Sequence, residues 1–318
     1  MHVLITGAAG ILGGALARSV VAGPPAGLAR LTLVDAAEPE APAGAAVPVV
    51  AAALDLGDAA AVARRIGRRP DVIFHLAAPD PSDRSWRSGF DAARRLFDAV
   101  AATPDYAPRL TLASSAAVFG PPAPPVIPDD QAPSPATGFG AQLAATELLL
   151  AERVRAGDFD GLALRLPAVA GAGAPWGFAD WIAALLREPP AGRPAILPVA
   201  EDRRLWLTSL RAAVFHLRQA AELDPAALDS ALGPRRSLVL PGVPARAGEI
   251  VEALARVAGQ DAADHVRRTR SEAAEQEAAA WPGWFEAAQA RALGFRAEAS
   301  LDALIAAELA EPVPMAQR

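Results

Sequence analysis

The sequence of 318 residues contains no cysteine, which excludes disulfide bonds, thiolate nucleophiles and cysteine-ligated metal sites. It contains no lysine either, since all thirty basic residues are arginine. No lysine can therefore act as a catalytic base, form a Schiff base with a carbonyl substrate, or anchor the ribose of a cofactor.

Histidine is scarce as well. The four histidines are His2, His75, His216 and His265, and no two of them lie close together in the sequence. Because histidine-based metal sites usually place their ligands at short spacings, we expect no metal. The formal net charge of -6 disfavours the phosphate backbone of a nucleic acid as a partner.

Long apolar runs are also missing. No uninterrupted apolar stretch reaches the ~18 residues that a membrane-spanning helix needs. The chain opens directly on HVLITG, which is typical of a strand, so we predict no signal peptide. Since hydrophobic residues make up 52% of the composition, we expect a folded cytoplasmic protein that does not engage a membrane.

Short, nearly continuous apolar runs alternate with helical stretches in the first half of the sequence. The predicted strands are HVLIT, RLTLVD, VPVVAA, DVIFHLAA, RLTLASS and LALRLP, and the predicted helices cover residues 11–21, 59–66 and 87–102. Such apolar runs are typical of parallel strands that are buried on both faces. The alternation predicts an α/β fold with a Rossmann-type, doubly wound parallel sheet.

The alternation weakens after about Pro167, which indicates a second region. We predict a nucleotide-binding core of residues 1–166 and a smaller C-terminal substrate lobe of residues 167–204 and 242–318. A helix near Leu210 and the strand SLVLPG are expected to bring residues from about 205 to 241 back to the main sheet.

The stretch TGAAGILG places Gly7, Gly10 and Gly13 directly after the first strand and at the start of a helix. Glycines at this spacing allow a tight turn, a close approach of a pyrophosphate and close helix–strand packing. The N-terminus of the helix offers unpaired N–H groups to the phosphates. The pattern therefore predicts a dinucleotide site.

The end of the second strand indicates which dinucleotide binds. Asp35 stands there, and a carboxylate at this position accepts hydrogen bonds from the ribose hydroxyls and repels a 2′-phosphate. No arginine follows in DAAEPEAP to bind that phosphate. We therefore predict NAD as the cofactor rather than NADP.

The motifs TGAAGILG, LDLGD, FHLAA and SSAAVFG follow one another in this order. With them the chain resembles the extended short-chain dehydrogenase/reductase superfamily, of the NAD-dependent epimerase/dehydratase type. The segments FGAQLAATELLL and WPGWFEAAQARALGF resemble its D-erythronate dehydrogenase branch, which oxidises sugar acids. The positions that the glycine pattern and the resemblance assign to the dinucleotide are Gly7, Ala9, Gly10, Ile11, Leu12, Gly13, Asp35, Asp55, Leu56, Leu76, Ala77, Ala78, Pro167 and Val169.

Enzymes of this superfamily use a serine, a tyrosine and a lysine four residues after the tyrosine. Positions i and i+4 share a helix face, so the ammonium lowers the pKa of the phenol that exchanges the proton. By this resemblance Ser115 keeps the serine position, whereas Phe139 and Leu143 occupy the tyrosine and lysine positions. The usual asparagine falls near Gly89 or Phe90, and the segment AVAGAGAP offers no arginine for a substrate carboxylate.

The candidate substrate pocket consists of Ser115, Phe139, Trp176 and Phe178. An aromatic wall favours an apolar or planar ligand over a sugar acid. The alternative is that these aromatic rings, with that of Trp181, belong to the core of the smaller lobe.

No side chain obviously replaces the missing acid. Ser114 and Ser115 are hydroxyls with no visible base beside them. Asp129 and Asp130, in the proline-rich loop, either swing in as an acid or base or form a solvated turn.

Two other titratable residues are predicted to have no catalytic role. We interpret His75 as a packing residue of its strand. Tyr106, the one tyrosine, precedes the strand RLTLASS, which puts it at the edge opposite to the carboxyl ends where ligands bind.

Three functions remain open from the sequence. We favour an atypical NAD-dependent oxidoreductase that acts on a carbonyl or hydroxyl group of a small molecule. The alternatives are a non-catalytic NAD(H)-binding protein and a sugar-acid dehydrogenase. By analogy with the superfamily we expect a homodimer formed through the helices near residues 87–102 and 139–153.

Overall fold

The computed structural model describes residues 1–79, 85–171 and 180–310. The strands are β1 (His2–Thr6), β2 (Arg30–Asp35), β3 (Val49–Ala53), β4 (Val72–His75), β5 (Arg109–Ser115), β6 (Asp160–Leu166), β7 (Ala168–Val169), β8 (Ala195–Leu197), β9 (Arg204–Thr208), β10 (Ser237–Val239), β11 (Val243–Arg246) and β12 (Val266–Arg268). The α-helices are α1 (Ile11–Ala22), α2 (Ala59–Ile66), α3 (Ala92–Ala101), α4 (Gly138–Ala156), α5 (Asp180–Arg187), α6 (Leu210–Glu222), α7 (Pro225–Leu232), α8 (Ala247–Ala258), α9 (Gln260–Asp264), α10 (Glu272–Ala279), α11 (Ala288–Ala292) and α12 (Leu301–Ala310).

The main sheet has seven strands in the order β10-β6-β5-β4-β1-β2-β3. The pairs β1–β2, β1–β4, β2–β3 and β4–β5 are all parallel. The chain runs outward from β1 to β3 and then returns to β4 to fill the other side. The predicted doubly wound α/β fold is therefore confirmed, and β10 joins the sheet as the sequence predicted.

Contacts divide the described residues into two compact units. The first comprises those within Met1–Ser114, Ala141–Arg165 and Val214–Leu238, and the second comprises those within Ser115–Gly140, Leu166–Ala213 and from Val239 onward. Residues 115–140 and 205–213 thus belong to the second unit by contact, whereas the sequence placed them with the core. The proline-rich loop belongs to the second unit because its Ile127 forms a β-bridge with Phe285.

The first unit is held together by apolar side chains from both the strands and the helices. Leu4, Ile73 and Leu110 of the strands pack in one buried cluster with Phe97 of α3 and Leu150 of α4. All five side chains are at most 1% exposed. This burial explains why the strands have continuous apolar sequences.

The second unit has its own sheets and core. A three-stranded sheet runs in the order β11-β9-β7, and β12 pairs with β8. Side chains from α5, α8 and α12 cover an apolar cluster that includes Leu185, Ile250 and Leu304. In the part of the chain that the structure describes, no helix is long and apolar enough to span a membrane.

Some predicted elements differ in extent. The run VPVVAA forms a strand only from Val49, because Pro48 has no N–H for the ladder. The run DVIFHLAA is a strand only over Val72–His75. The helix predicted over residues 87–102 consists of a π-helical turn, Arg87–Asp91, followed by α3.

Candidate functional site

The turn between β1 and α1 depends on glycine. Gly7 has a φ of +72°, and a Cβ there would overlap the backbone of Leu76 and Ala77 at the end of β4. A Cβ at Gly13 would overlap the carbonyl oxygen of Gly7. The absence of side chains at these positions therefore lets the loop, the helix and β4 pack against one another.

The first turn of α1 has donors to offer. Gly10 is its N-cap residue, and no side chain caps the helix. The N–H groups of the first helical turn, which includes Ile11 and Leu12, have no carbonyl partner within the helix. Together with the helix dipole they suit a diphosphate, so this cradle fits a dinucleotide.

Asp35 links the second strand to this turn. It is the last residue of β2, and its Oδ2 accepts a hydrogen bond from the N–H of Ala9 at 3.0 Å. Its Oδ1 accepts from the N–H of Ala36 at 2.7 Å. The carboxylate is half-buried, and its remaining lone pairs are suited to ribose hydroxyl groups.

The remaining predicted cofactor residues fall into two groups. In the first unit, Asp55 and Leu56 follow β3, and Leu76 follows β4, where its N–H donates to the carbonyl of Thr6 at 3.1 Å. These residues lie at the carboxyl edge of the parallel sheet, as Ala77 and Ala78 do. Pro167 and Val169 belong to the second unit, and their place beside the nicotinamide stays a prediction.

Ser115 is the last residue of β5 and opens a 3-10 turn, Ala116–Val118. Its Oγ accepts a hydrogen bond from the N–H of Ala117 at 3.1 Å, and the residue is 9% exposed. The first turn of α4 packs against this turn, because a Cβ at Gly140 would overlap the carbonyl of Ala117. The second unit therefore brings Ser115 close to the start of α4, where Phe139 stands.

Phe139 and Leu143 are both buried, at 7% and 4% exposure. They lie one turn apart on α4, which is the spacing that would pair a phenol with an ammonium. Neither side chain can exchange a proton or donate a hydrogen bond to a ribose. Both side chains are therefore largely shielded from solvent.

The structure shows a charged network that the sequence reasoning missed. Ser114 Oγ donates to Glu147 Oε1 at 2.5 Å. Arg165 Nε donates to both carboxylate oxygens at 3.1 Å, and its Nη2 donates to Oε2 at 2.7 Å. All three residues are at most 5% exposed.

This network corrects the expectation that Ser114 has no base beside it. The carboxylate of Glu147 is near, but Arg165 holds it and all three side chains are buried, so the pair serves the fold. Ser114 and Ser115 are adjacent in β5, so their side chains point to opposite faces of the sheet. The sequence did contain a signal for this pair, a single acid in TELLL and a single arginine in LALRLP. Charged residues within apolar runs are usually paired when they are buried.

Gln142 occupies space near the position where the superfamily has an asparagine. Its Oε1 accepts from the N–H of Phe90 at 3.4 Å. A Cβ at Gly89 would overlap this oxygen and the ring carbons of Pro79, so an asparagine there would require both neighbours to shift. The amide of Gln142 thus fastens α4 to the π-helical turn.

The other titratable candidates have structural surroundings. Thr6 Oγ1 and His75 Nδ1 are 2.7 Å apart, and burial lowers the pKa of His75 to about 4. The hydroxyl of Tyr106 donates to the carbonyl of Pro70 at 2.5 Å, and burial followed by the charge of Asp71 raises its pKa. His75 is therefore a neutral core residue, and Tyr106 lies before β5, away from the carboxyl edge.

The proline-rich loop is fastened through Asp129. Its Oδ2 accepts from the N–H of Gln289 at 2.9 Å, while Asp130 is exposed. Asp129 thus caps α11. Trp181, on α5, packs against the apolar core of the second unit, as its structural interpretation predicted. Trp176 and Phe178 lie outside the described residues, so their pocket role stays a prediction.

Known proteins resemble this chain along nearly its whole length. Residues 3–207 match the NAD dependent epimerase/dehydratase family. A D-erythronate dehydrogenase of Cupriavidus necator is 39% identical, with 96% of this chain and 97% of the relative covered. A D-erythronate dehydrogenase of Haemophilus influenzae is 31% identical, with 96% and 98% covered.

Solved structures show the same architecture. A protein described as the nucleoside-diphosphate-sugar epimerase from Agrobacterium tumefaciens superposes with a TM-score of 0.92 at 39% identity, covering 98% of this chain and 94% of that chain. A GalE-like L-threonine dehydrogenase from Cupriavidus necator superposes with a TM-score of 0.82 at 20% identity, covering 98% and 99%. The second likeness concerns the fold alone.

Proposed function

The chain belongs to the NAD-dependent epimerase/dehydratase family, and from that premise we propose that it is an atypical NAD-dependent oxidoreductase acting on a carbonyl or hydroxyl group. The observation that carries this proposal is the glycine turn. Gly7 and Gly13 let the turn, the start of α1 and the end of β4 pack closely together, and the first turn of α1 follows with no side-chain cap. The N–H groups at the start of α1 suit the diphosphate of a dinucleotide.

The residues of the cradle would divide the binding. A nicotinamide dinucleotide supplies or accepts the hydride when it is bound. The N–H groups at the start of α1 would hold its diphosphate, and Asp35 would accept hydrogen bonds from ribose hydroxyls. Because Asp35 carries a negative charge and no arginine follows it, we infer a preference for NAD over NADP.

Ser115 is the remaining polar group at the expected site of reaction. Its hydroxyl can donate to the oxygen of a carbonyl substrate and so stabilise the charge that develops there. Phe139 and Leu143 contribute no proton, so the proton would come from water or from a hydroxyl of the substrate itself. Proximity and orientation can still lower the barrier by several kcal/mol, roughly 7–11 in well-oriented cases.

Calorimetric titration with NAD+, NADH and NADPH tests the cofactor part of the proposal. We expect NADH to bind with a micromolar Kd and NADPH at least tenfold more weakly, which corresponds to about 1.4 kcal/mol of repulsion between Asp35 and the 2′-phosphate. Tighter binding of NADPH would refute the role given to Asp35. An absence of binding to all three nucleotides would refute the oxidoreductase proposal itself.

A second candidate function is a non-catalytic NAD(H)-binding protein. It is favoured by the burial of Phe139 and Leu143 and by the closed network around Glu147, which together leave α4 with no free acid near its first turns. Incubation of the NADH-bound protein with a panel of aromatic and aliphatic ketones separates the two candidates. Oxidation of NADH supports the first, and tight binding without oxidation of NADH by any ketone supports the second.

A third candidate is sugar-acid oxidation, favoured by the two curated relatives named D-erythronate dehydrogenase. The matched variants are Phe139→Tyr, Leu143→Lys and the double change, each assayed for NAD+ reduction with D-erythronate. Activity of the unchanged protein would support this candidate directly. Activity of the double variant alone, about 100-fold or more above background, would indicate that only the acid and the cation have been lost.

We also propose that the protein forms a homodimer through α3 and α4. Leu148 of α4 is 71% exposed, and a second copy that packs on α4 would bury this apolar side chain. Light scattering coupled to size exclusion should give twice the chain mass. Leu148→Glu should shift the mass to that of a monomer, and the change Arg267→Gln, at an exposed residue of β12, should leave it unchanged.

A further inference from the structure

Arginines collect at one edge of the first unit, where strands of the main sheet begin. The stretch RRIGRR supplies four of them at the end of α2 and in the turn that follows, Arg64, Arg65, Arg68 and Arg69. Arg30, the first residue of β2, is the fifth. We call these five residues the basic edge. Because β1 and β2 start here, the basic edge lies opposite to the carboxyl edge that carries the glycine turn.

Contacts around His2 bring the separate segments of the basic edge together. The register of β1 and β2 places Arg30 beside His2, and the N–H of His2 donates to Asp71 Oδ2 at 2.6 Å. Burial lowers the pKa of His2, opposed by a hydrogen bond to the backbone of Arg68. The charges of Arg30 and Arg65 lower this pKa further, opposed by the charge of Asp71. The start of the sheet, the end of α2 and the following turn therefore share one positive surface.

The basic edge carries more positive than negative charge. Among the residues that the structure describes, four of its side chains form no ion pair, those of Arg30, Arg64, Arg65 and Arg68. Two acids lie beside it. Asp71 already accepts from the N–H of His2, and the backbone carbonyl of Asp105 accepts from Arg69. Since the whole chain has a net charge of -6, this surface is opposite in sign to the protein as a whole.

The fold explains these arginines only in part. Arg64 and Arg65 stand in the last turn of α2, where positive charge stabilises the helix dipole. Arg69 lies over the ring of Tyr106, with 5.5 Å between its guanidinium carbon and the ring centroid. Neither reason applies to Arg30, which begins a strand and is exposed. The guanidinium groups of the basic edge are thus available to a partner.

We propose that the basic edge is a docking surface for an acidic segment of another protein. A guanidinium group binds a carboxylate with two parallel N–H···O bonds, so several such groups on one surface suit a chain of carboxylates. A positive region on an otherwise acidic protein also directs such a partner to this edge. The surface belongs to the first unit alone, and the proposal does not depend on the oxidoreductase function.

A protein partner fits this surface better than a nucleic acid does. Proteins that bind single-stranded nucleic acids combine positive charge with aromatic side chains on which the bases stack. The ring of Tyr106 packs against the apolar core of the first unit and lies under Arg69, so it is not open to a base. A long polyanion would also approach the negative surface that the net charge of -6 implies.

Fluorescence anisotropy with a labelled oligoglutamate peptide tests the proposal, with oligoglutamine as the uncharged control and oligouridine as the nucleic acid. We expect oligoglutamate to bind more tightly than either. Arg64→Gln combined with Arg68→Gln should weaken this binding about tenfold, because two charged contacts are lost. The matched control, Arg235→Gln combined with Arg267→Gln, changes two exposed arginines of other elements and should bind like the unchanged protein.

A thermal melt shows whether the double variant of α2 folds. If it does not, Arg30→Gln on β2 is the second variant, and it should weaken binding of oligoglutamate about threefold. The proposal is overturned if oligoglutamate binds no more tightly than oligoglutamine, or if the folded variants bind like the matched control. Tighter binding of oligouridine would assign the basic edge to a nucleic acid and would overturn the protein partner.

Discussion

Two regions of the molecule differ in whether backbone or side chains would carry their function. They are the glycine turn, residues 7–13, and the start of α4, residues 138–147. In the glycine turn the groups that would hold a dinucleotide are backbone N–H groups, and Gly7 and Gly13 have no room for a side chain. At the start of α4 the expected chemistry depends on two particular side chains, and Phe139 and Leu143 supply neither of them. Binding encoded in backbone conformation tolerates changes all around it, whereas proton transfer is lost with one substitution.

The largest expected effect concerns the contribution of α4 to the stability of the fold. Glu147→Ala should lower the free energy of unfolding by about 3–5 kcal/mol, because it removes the carboxylate that pairs with the buried charge of Arg165. Denaturant unfolding measures this. The control Glu152→Ala lies on the same helix but is 53% exposed, and it should change stability by less than about 0.5 kcal/mol. Equal effects of the two changes would mean that the network does not fasten α4.

The next effect concerns a titratable group beside the glycine turn. Burial lowers the pKa of His75 to about 4. Between pH 6.5 and 4 the imidazole is therefore protonated in the unfolded chain and neutral in the folded protein. Stability from this residue is complete above pH 6.5 and is lost as the pH falls, by about 3 kcal/mol. Urea unfolding of the unchanged protein and of His75→Gln, compared at pH 7 and pH 4.5, isolates this contribution.

This result would mean that His75, a titratable side chain at the end of β4, serves folding alone. The difference between the two proteins should shrink toward low pH. A difference that stays constant from pH 7 to pH 4.5 would contradict the neutral, buried state of the imidazole.

A third test breaks the glycine turn itself. Gly13→Val places a side chain against the carbonyl of Gly7 and should weaken NADH about 100-fold. Gly14→Ala is the matched control one residue later, where a Cβ would meet its nearest neighbour, the side chain of Arg18, at 3.4 Å. It should bind NADH like the unchanged protein. Calorimetry compares the two, and equal affinities would show that no dinucleotide lies in the turn.

The smallest effect concerns the choice of cofactor. Asp35→Asn keeps an oxygen for the N–H of Ala9 but removes the negative charge. The ratio of NADPH affinity to NADH affinity should rise about tenfold, because repulsion of the 2′-phosphate is relieved. Competitive titration of both nucleotides measures the ratio. An unchanged ratio would place the origin of NAD selectivity elsewhere in the turn.

Much of the first unit could be predicted from local patterns. The buried strands β1, β2 and β5 have continuous apolar sequences. The glycine spacing identifies the turn because a side chain at these positions would overlap nearby backbone. The strands β7, β8 and β12 have two or three residues, which is too short for any periodicity to emerge. Their pairing is decided by partners that are distant in the sequence.

The candidate site shows the same division. Gly89 packs against Gln142, which follows 53 positions later, so no local signal explains the π-helical turn around it. The convergence of Arg30 and Arg65 on His2 depends on strand pairing, which the sequence alone did not reveal. Cofactor positions were accessible because their motif is contiguous, whereas contacts between separate elements required the structure.

The alternation of Ser114 and Ser115 has an evolutionary consequence. The hydroxyl of Ser114 belongs to the network that fastens α4, and that of Ser115 accepts from the N–H of Ala117 in the following turn, so selection can act on the two positions separately. A lineage that lost its tyrosine and lysine would keep Glu147, Arg165 and Ser114 intact and therefore stay folded. Such a protein can change or lose its reaction by substitution without unfolding. A protein whose catalytic residues also stabilise the fold cannot do so as easily.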